Sequence, residues 1–349
     1  MSVVREFVAD EIPDVVALRR SAFAHSAHRT DSDLGAYFER IFFRNPWNTG
    51  AQSLVHVEDD GRVTGFLGVI GRSATFRDAP IDVAVCTQFM VDARERGVAA
   101  VRLLKTLFSG KQDLALADVS NDQSRRMWVA LGGSALPAQA RLWTQPLRPL
   151  RYRAARSHSA VIRGAARVVR PFLDAWDEAG ITWTAPVGLS AVPLTPELLS
   201  ENAALVGPVA LRTTDDAEST RWLLEQLRVK EDLGTLRGRL LRGGTRVVGW
   251  FLYFESIGGV GEVVQLVAAP GRHRDVLAAL FHDAWKLGLV AVTGRADRDI
   301  VGALDPRRAC LRDGDTAMLV HSPRQDINEA IRRDDAYFSR LDGEWWMSF

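Results

Sequence analysis

The sequence predicts an α/β fold built as two similar halves, and three observations carry that expectation. The first is the stretch Phe89-Met-Val-Asp-Ala-Arg-Glu-Arg-Gly-Val-Ala-Ala-Val-Arg-Leu-Leu-Lys105. It reads as a strand that breaks into a small-residue turn with arginines and then opens an apolar-periodic helix. The second is a further strand, Leu114-Ala-Leu-Ala-Asp-Val119, succeeded by a helix that begins at Asn121 and ends at Leu131-Gly132. The third is a repetition. Asp59-Asp-Gly-Arg-Val-Thr-Gly65-Phe-Leu-Gly-Val-Ile70 is a hairpin turn into an alternating strand, and it returns as Arg242-Gly-Gly-Thr-Arg-Val-Val-Gly249-Trp-Phe-Leu-Tyr-Phe254.

Taken in order, the chain first offers a helical pattern with Tyr37, Phe38, Ile41 and Phe42 on one face, followed by Arg44, Asn45 and Trp47. After the first hairpin come strand 81–91, helix 97–109, strand 114–119 and helix 122–131. After its second copy come strand 261–268, helix 274–287, strand 290–293 and a short helix near 298–304. The matching order, at a period of about 180 residues, predicts an internal repeat. Both copies place a basic turn before the long helix; the second is Ala269-Pro-Gly-Arg-His-Arg274.

The turn at 94–100 leaves backbone N–H groups at a helix N-terminus aimed at one point, which suits a pyrophosphate. Arg94-x-x-Gly97-x-Ala99, with Asn121, Met127, Trp128, Leu131 and Gly132 after it, resembles the coenzyme A half of a GNAT-superfamily N-acetyltransferase. Two departures stand out. The stretch from Val91 to Arg94 is about two residues short of the family pattern, so the register could begin at Phe89. Trp128 stands where the family often has a Tyr that protonates the departing thiolate, and an indole N–H has no useful acidity.

The resemblance implies two GNAT-like domains, each a mixed, mostly antiparallel sheet flanked by helices. They are expected at 1–145, binding acyl-CoA, and at 185–349, degenerate, with a basic linker at 146–184. It implies a cofactor site of Phe89, Met90, Val91, Arg94, Arg96, Gly97, Val98, Ala99, Ala100, Asn121 and Trp128, holding acetyl-CoA or another acyl-CoA as co-substrate. The second copy lacks these features: Pro270 removes an N–H from its turn, and Asp297 or Asp299 stands where Asn121 would.

The implied reaction is acyl transfer to an amine of a small-molecule or sugar-linked acceptor. It needs a held thioester, a neutral amine and a place for developing negative charge. Asp118 is the expected base, with Glu39 and His56 less well placed. Arg44, Asn45, Trp47 and Gln88 are the expected acceptor contacts. A non-catalytic acyl-CoA-binding or scaffold protein, and a Fem-like aminoacyltransferase using charged tRNA, are the alternatives.

Composition narrows the rest. The 349 residues are 47% apolar and 25% charged, with a net charge of +1, as in globular proteins of two domains. No apolar run reaches the ~18 residues of a membrane span, and no secretory start is present. Cys86 and Cys310 stand alone, which fits a cytoplasmic setting. His25 and His28 lack a third ligand, so no metal site is expected. Residues 141–173 hold eight arginines and no Asp, Glu or Lys. Their amphipathic helix, 161–176, is expected to pack across the domains, membrane-surface contact being the less favoured alternative. Nucleic acid is not an expected partner. The aromatic ending, Tyr337–Phe349, is expected to dock in a groove on the second half rather than fray.

Overall fold

The computed structural model describes residues 2–23, 29–47, 50–94, 97–157, 172–173, 176–177, 180, 182–314 and 316–347, except for the side chain of residue 231. Its strands are β1 (Val3–Glu6), β2 (Leu54–Val57), β3 (Val63–Phe76), β4 (Ala79–Val91), β5 (Leu114–Ala117), β6 (Ser134–Leu136), β7 (Leu142–Pro146), β8 (Ser190–Pro193), β9 (Leu211–Thr213), β10 (Thr235–Gly243), β11 (Arg246–Glu255), β12 (Val260–Ala268), β13 (Ala291–Arg295), β14 (Cys310–Arg312), β15 (Met318–His321) and β16 (Ala336–Tyr337). The helices are α1 (Ile12–Ala22), α2 (Asp31–Phe42), α3 (Val98–Phe108), α4 (Asp122–Ala130), α5 (Pro149–Ala155), α6 (Pro196–Glu201), α7 (Ala217–Arg228), α8 (His273–Lys286), α9 (Arg298–Ala303) and α10 (Gln325–Arg332).

Two mixed, mostly antiparallel sheets result, as expected. The first runs β1-β2-β3-β4-β5-β15-β6, with β9 added on β3 and β16 on β9; the second runs β14-β7-β13-β12-β11-β10-β8. The two copies share their pairing. In each, a hairpin (β3–β4, β11–β12) is antiparallel and the next pair (β4–β5, β12–β13) is parallel across a helix. Each hairpin also slips register midway, after Phe66 in the first and after Leu252 in the second.

The sheets exchange strands. β7, from before the basic segment, lies between β13 and β14 of the second sheet, while β15, from near the end of the chain, lies between β5 and β6 of the first. Each sheet therefore draws on both sides of the basic segment.

Helices cover both faces of the first sheet, so its central strands are apolar almost throughout. Val83, Val85, Leu114 and Leu116 face one core with α1 and α2; Ala84, Cys86, Ala115 and Ala117 face another with α3. The first core continues into the second half through Leu223, Leu224 and Leu227 of α7 and Phe254 of β11. Gly65 is needed where α3 closes on β3, because a Cβ there would press on Leu103.

Inside this apolar frame lies a cation. Arg72 of β3 is fully buried. Its Nη2 pairs with Asp215 Oδ2 at 2.6 Å, and its Nη1 donates to the Leu341 carbonyl at 3.0 Å. The guanidinium carbon lies 4.4 Å from the ring centre of Trp47, whose indole N–H donates to Asp215 Oδ1 at 3.2 Å. Trp47, Trp222 and Trp346 pack around the pair edge to face, with Trp47–Trp222 centroids 5.3 Å apart and Trp222–Trp346 5.4 Å apart.

Removing one member of a buried ion pair strands the other. Arg72→Met is therefore expected to cost about 3–5 kcal/mol, read as a lower urea midpoint at similar slope. Adding Asp215→Leu should return part of that loss; an unchanged midpoint in the single variant would show that the pair anchors nothing.

Candidate functional site

The first sheet splits between β4 and β5. The two strands pair only at Val83–Leu114, Ala84–Ala115 and Val85–Leu116, yet β4 continues to Val91. On its other side β4 bulges against β3: Gln88 and Phe89 together face Leu67, and Met90 and Val91 rejoin the ladder opposite Phe66 and Gly65. Gln88 has φ +49°, a left-handed conformation unusual for a residue with a Cβ. Such strain persists only where surroundings hold it. Here Arg19 Nε donates to Gln88 Oε1 at 3.2 Å. The bulge takes Gln88 and Phe89 off the β3 ladder, and the Met90 side chain is buried in the core.

Beyond β4 the chain enters the basic turn. Asp92 N–H donates to the Thr64 carbonyl at 2.8 Å, and Asp92 Oδ1 accepts from Arg94 N–H at 2.9 Å. The Arg94 side chain is exposed, and Arg96 lies outside the described residues. Gly97 precedes α3, and no described side chain caps that helix. A Cβ on Gly97 would meet nothing within 4 Å among the described residues. Val98 is exposed, while Ala99 and Ala100 are buried against the sheet.

Asn121 is the N-cap of α4. Its Oδ1 accepts from Ser124 N–H at 2.8 Å, which leaves the amide nitrogen as a donor. Trp128 is buried edge-on to Phe108, with centroids 5.0 Å apart, and its indole N–H has no hydrogen-bond partner among the described residues. Gly133 makes room for this ring, since a Cβ there would collide with it.

At the end of β5 stands Asp118, buried, and what meets it is the C-terminal segment. Glu344 N–H donates to Asp118 Oδ1 at 2.7 Å, and Val119 N–H donates to Glu344 Oε1 at 3.0 Å. Thr87, across the split on β4, favours the charged form of the Glu344 side chain. Gly343 permits this approach, because any Cβ would strike the Asp118 carboxylate. Arg295 of β13 lies 3.7 Å from Asp118 Oδ2. Burial pushes the Asp118 carboxyl up against the pull of Arg295. Burial, and then the charge of Asp118, push Glu344 up to about 8.

The ending therefore docks differently from the expectation of a groove on the second half. It begins there, where Arg340 N–H donates to the Val264 carbonyl at 3.1 Å, and Asp342 accepts from Ser339 and Thr213. It then crosses into the first half, where Trp346 and Met347 are buried and Tyr37 donates its hydroxyl proton to the Met347 carbonyl at 2.9 Å. Apolar surface near α2 is open to it because the two halves share one core.

The remaining expected residues lie apart from the split. Arg44 is exposed and paired with Glu39. Asn45 Nδ2 donates to the Ile41 carbonyl at 3.0 Å, closing α2, and Trp47 belongs to the Arg72 cluster. Both line a cavity of about 330 Å³ beside Val69–Gly71. His56 is fully buried in β2, its Nδ1 2.7 Å from Thr64 Oγ1. His25, His28 and most of helix 161–176 lie outside the described residues. Arg72, Asp215, Arg295, Glu344 and Tyr37 belong to no motif that marks them as site residues in the sequence; a lone cation inside the apolar run 63–76 was the one available signal.

The second half has its own split, between β12 and β13, with a cavity of about 350 Å³. Asp297 caps α9 there, accepting from Ile300 N–H at 2.7 Å, where Asn121 caps α4 in the first half. Burial pushes Asp297 up to about 6. Its carboxyl, beside Asp299, disfavours an anion at that position.

Glu344 carries a stability signature. Its pKa is 4.5 in an unfolded chain and about 8 here, so between those values the folded state holds a proton that the unfolded state has lost. Its contribution is whole below about 4.5 and falls as pH rises to about 8. Glu344→Gln keeps the hydrogen bond without the charge and should flatten that part of the Tm-against-pH curve. An unchanged slope would mean that Glu344 is not held neutral.

No protein-family model matches the sequence, and no curated protein matches it. Solved structures do. A GCN5-related N-acetyltransferase from Anabaena variabilis is 11% identical with a TM-score of 0.63, over 93% of this chain and 74% of that one. A probable N-acyltransferase from Enterococcus faecalis is 10% identical, with a TM-score of 0.61 over 92% and 73%. Saccharomyces cerevisiae N-myristoyltransferase, solved with bound myristoyl-CoA, is 11% identical, with a TM-score of 0.51 over 92% and 79%. At such identities the likeness is one of fold. With its two sheets and the split between β4 and β5, this chain has the fold of the GCN5-related N-acyltransferases, in a tandem arrangement.

Proposed function

We propose that the protein is an N-acyltransferase that takes its acyl group from acetyl-CoA or another acyl-CoA and passes it directly to an amine of a small-molecule or sugar-linked acceptor. The observation that carries this reading is the strained bulge at Gln88–Phe89, at the β4–β5 split, in the strand that leads to a start of α3 capped by no described side chain. The N–H groups of residues 96–100 suit the pyrophosphate, with Arg94 and Arg96 adding charge. Gly97 adds no side chain there. Phe89, Met90 and Val91 border the thioester arm on one side, and Asn121 and Trp128 on the other.

Proton transfer falls to the carboxyl pair. A group with a pKa near 8 is well matched to accepting the amine proton near neutral pH, so Glu344 shares with Asp118 the role of base. Trp128 supplies no acid, but a coenzyme A thiol resembles a cysteine, with a pKa of about 8.5, and leaves without one. Losing an acid costs about 10²–10⁴-fold, whereas positioning two reactants contributes roughly 7–11 kcal/mol. Positioning dominates. Gln88 orients the acceptor from the split, while Arg44, Asn45 and Trp47 lie farther out. Among the described residues no helix is long and apolar enough to cross a membrane, and a cytoplasmic setting without nucleic-acid partners belongs to the same reading. A non-catalytic acyl-CoA-binding protein is the second reading, favoured by Trp128.

Gly97→Asp puts bulk and negative charge before α3 and should weaken coenzyme A binding by about 100-fold or more, measured by calorimetry. Equal affinity would remove the site. With an amine panel and thiol-release detection, Glu344→Gln and Asp118→Asn should each lower kcat by about 10²–10⁴-fold and flatten the pH profile. Normal turnover by both across about pH 6–9 would exclude the pair; thiol release with no amine in the panel would favour the second reading.

A further inference from the structure

A further cavity lies on the side of the first sheet opposite α3. It measures about 470 Å³ and lies between α2, the end of α7 and the C-terminal segment. Tyr37 lines it, its hydroxyl donating to the Met347 carbonyl, and Trp345, which also lines it, directly follows Glu344 in the chain. Trp345 and Trp346 form an aromatic wall. Among the described lining residues three are cations, Arg29, Arg40 and Lys230, against one carboxylate, Asp232.

The cations are set close in a partly buried place. Arg40 Nε donates to the neutral Gln226 Oε1 at 2.7 Å, and Arg40 makes no ion pair among the described residues. Lys230 Nζ lies 5.4 Å from the ring centre of Trp345. Burial, and then the positive charge of Arg29, pull the Lys230 ammonium down to about 8. A bound anion beside Arg40 would meet a guanidinium that pairs with no described carboxylate, and it would favour the charged form of the partly buried Lys230. Guanidinium and ammonium groups over aromatic rings suit a planar or compact anion joined to an organic body.

We propose that this cavity receives the acceptor and that the acceptor amine carries an anionic group, carboxylate or phosphate, held by Arg40 and Lys230. The inference rests on the acyltransferase reading for its word "acceptor", but the binding it requires does not.

The test is direct binding by calorimetry, without turnover, using pairs of amines that differ only in the anion. Tryptophan against tryptophanamide probes a carboxylate, and phosphoethanolamine against ethanolamine a phosphate. In at least one pair the anionic member should bind about tenfold or more tightly, and the pair that does so identifies the anion. Arg40→Gln and Lys230→Met should each reduce that preference to under about threefold, with coenzyme A affinity and Tm as controls for folding. Equal binding within both pairs, no binding in either, or a preference that survives both substitutions would overturn the proposal. A preserved anion preference without coenzyme A binding or thiol release would instead refute the acyltransferase reading alone.

Discussion

The buried guanidinium of Arg72 is the contact on which the arrangement turns. Taking a charge out of water costs several kcal/mol even after relaxation, and the structure offsets that cost by drawing partners from three separate parts of the chain. β3 supplies the cation, the segment before α7 supplies Asp215, and the C-terminal segment supplies the Leu341 carbonyl. Trp47 covers the pair from the loop after α2. Two halves that could otherwise slide are pinned at one polar point, because apolar contact is non-directional and an ion pair is not.

From that pin the C-terminal segment has little freedom over the next few residues. Leu341 is fixed, Asp342 closes a turn on Ser339, and Gly343 lies against Asp118, so Glu344 arrives at the β4–β5 split. The electrostatics come from the placement. Two carboxyls brought together in an apolar surround cannot both ionise easily, and Arg295 favours Asp118 as the charged member. The split is thus furnished from three sides: a strained strand, an Asn-capped helix and a folded-back ending.

Much of this frame was legible in the sequence, and for a physical reason. Strand–turn–helix order is written locally, in apolar periodicity and in small residues where the backbone must come close, so 81–91, 97–109, 114–119 and 122–131 were readable within a residue or two. Asn121 announced itself as a cap. What was not legible is non-local. Nothing in Leu142-Trp-Thr-Gln-Pro146 or Met318-Leu-Val-His321 says which sheet a strand will join, since both present the same alternation to either. Glu344 was hidden for the same reason: its meaning depends on Asp118, over two hundred residues away. The residues after α2 look exposed by pattern, and Trp47 becomes part of a core only because α7 and Trp346 cover it.

The exchange of β7 and β15 bears on how the molecule is made. The first sheet is open between β5 and β6 until residues 318–321 exist. At ribosomal rates of about 5–20 residues per second, the span from β6 to β15 takes on the order of 10–40 s to synthesise. Through that interval β5 and β6 present unpaired edges, the kind of surface on which chains associate wrongly. Completion of the catalytic half as proposed is therefore a late event, tied to the emergence of the other half, and a ribosome that stalls in between leaves an open sheet rather than a smaller working domain.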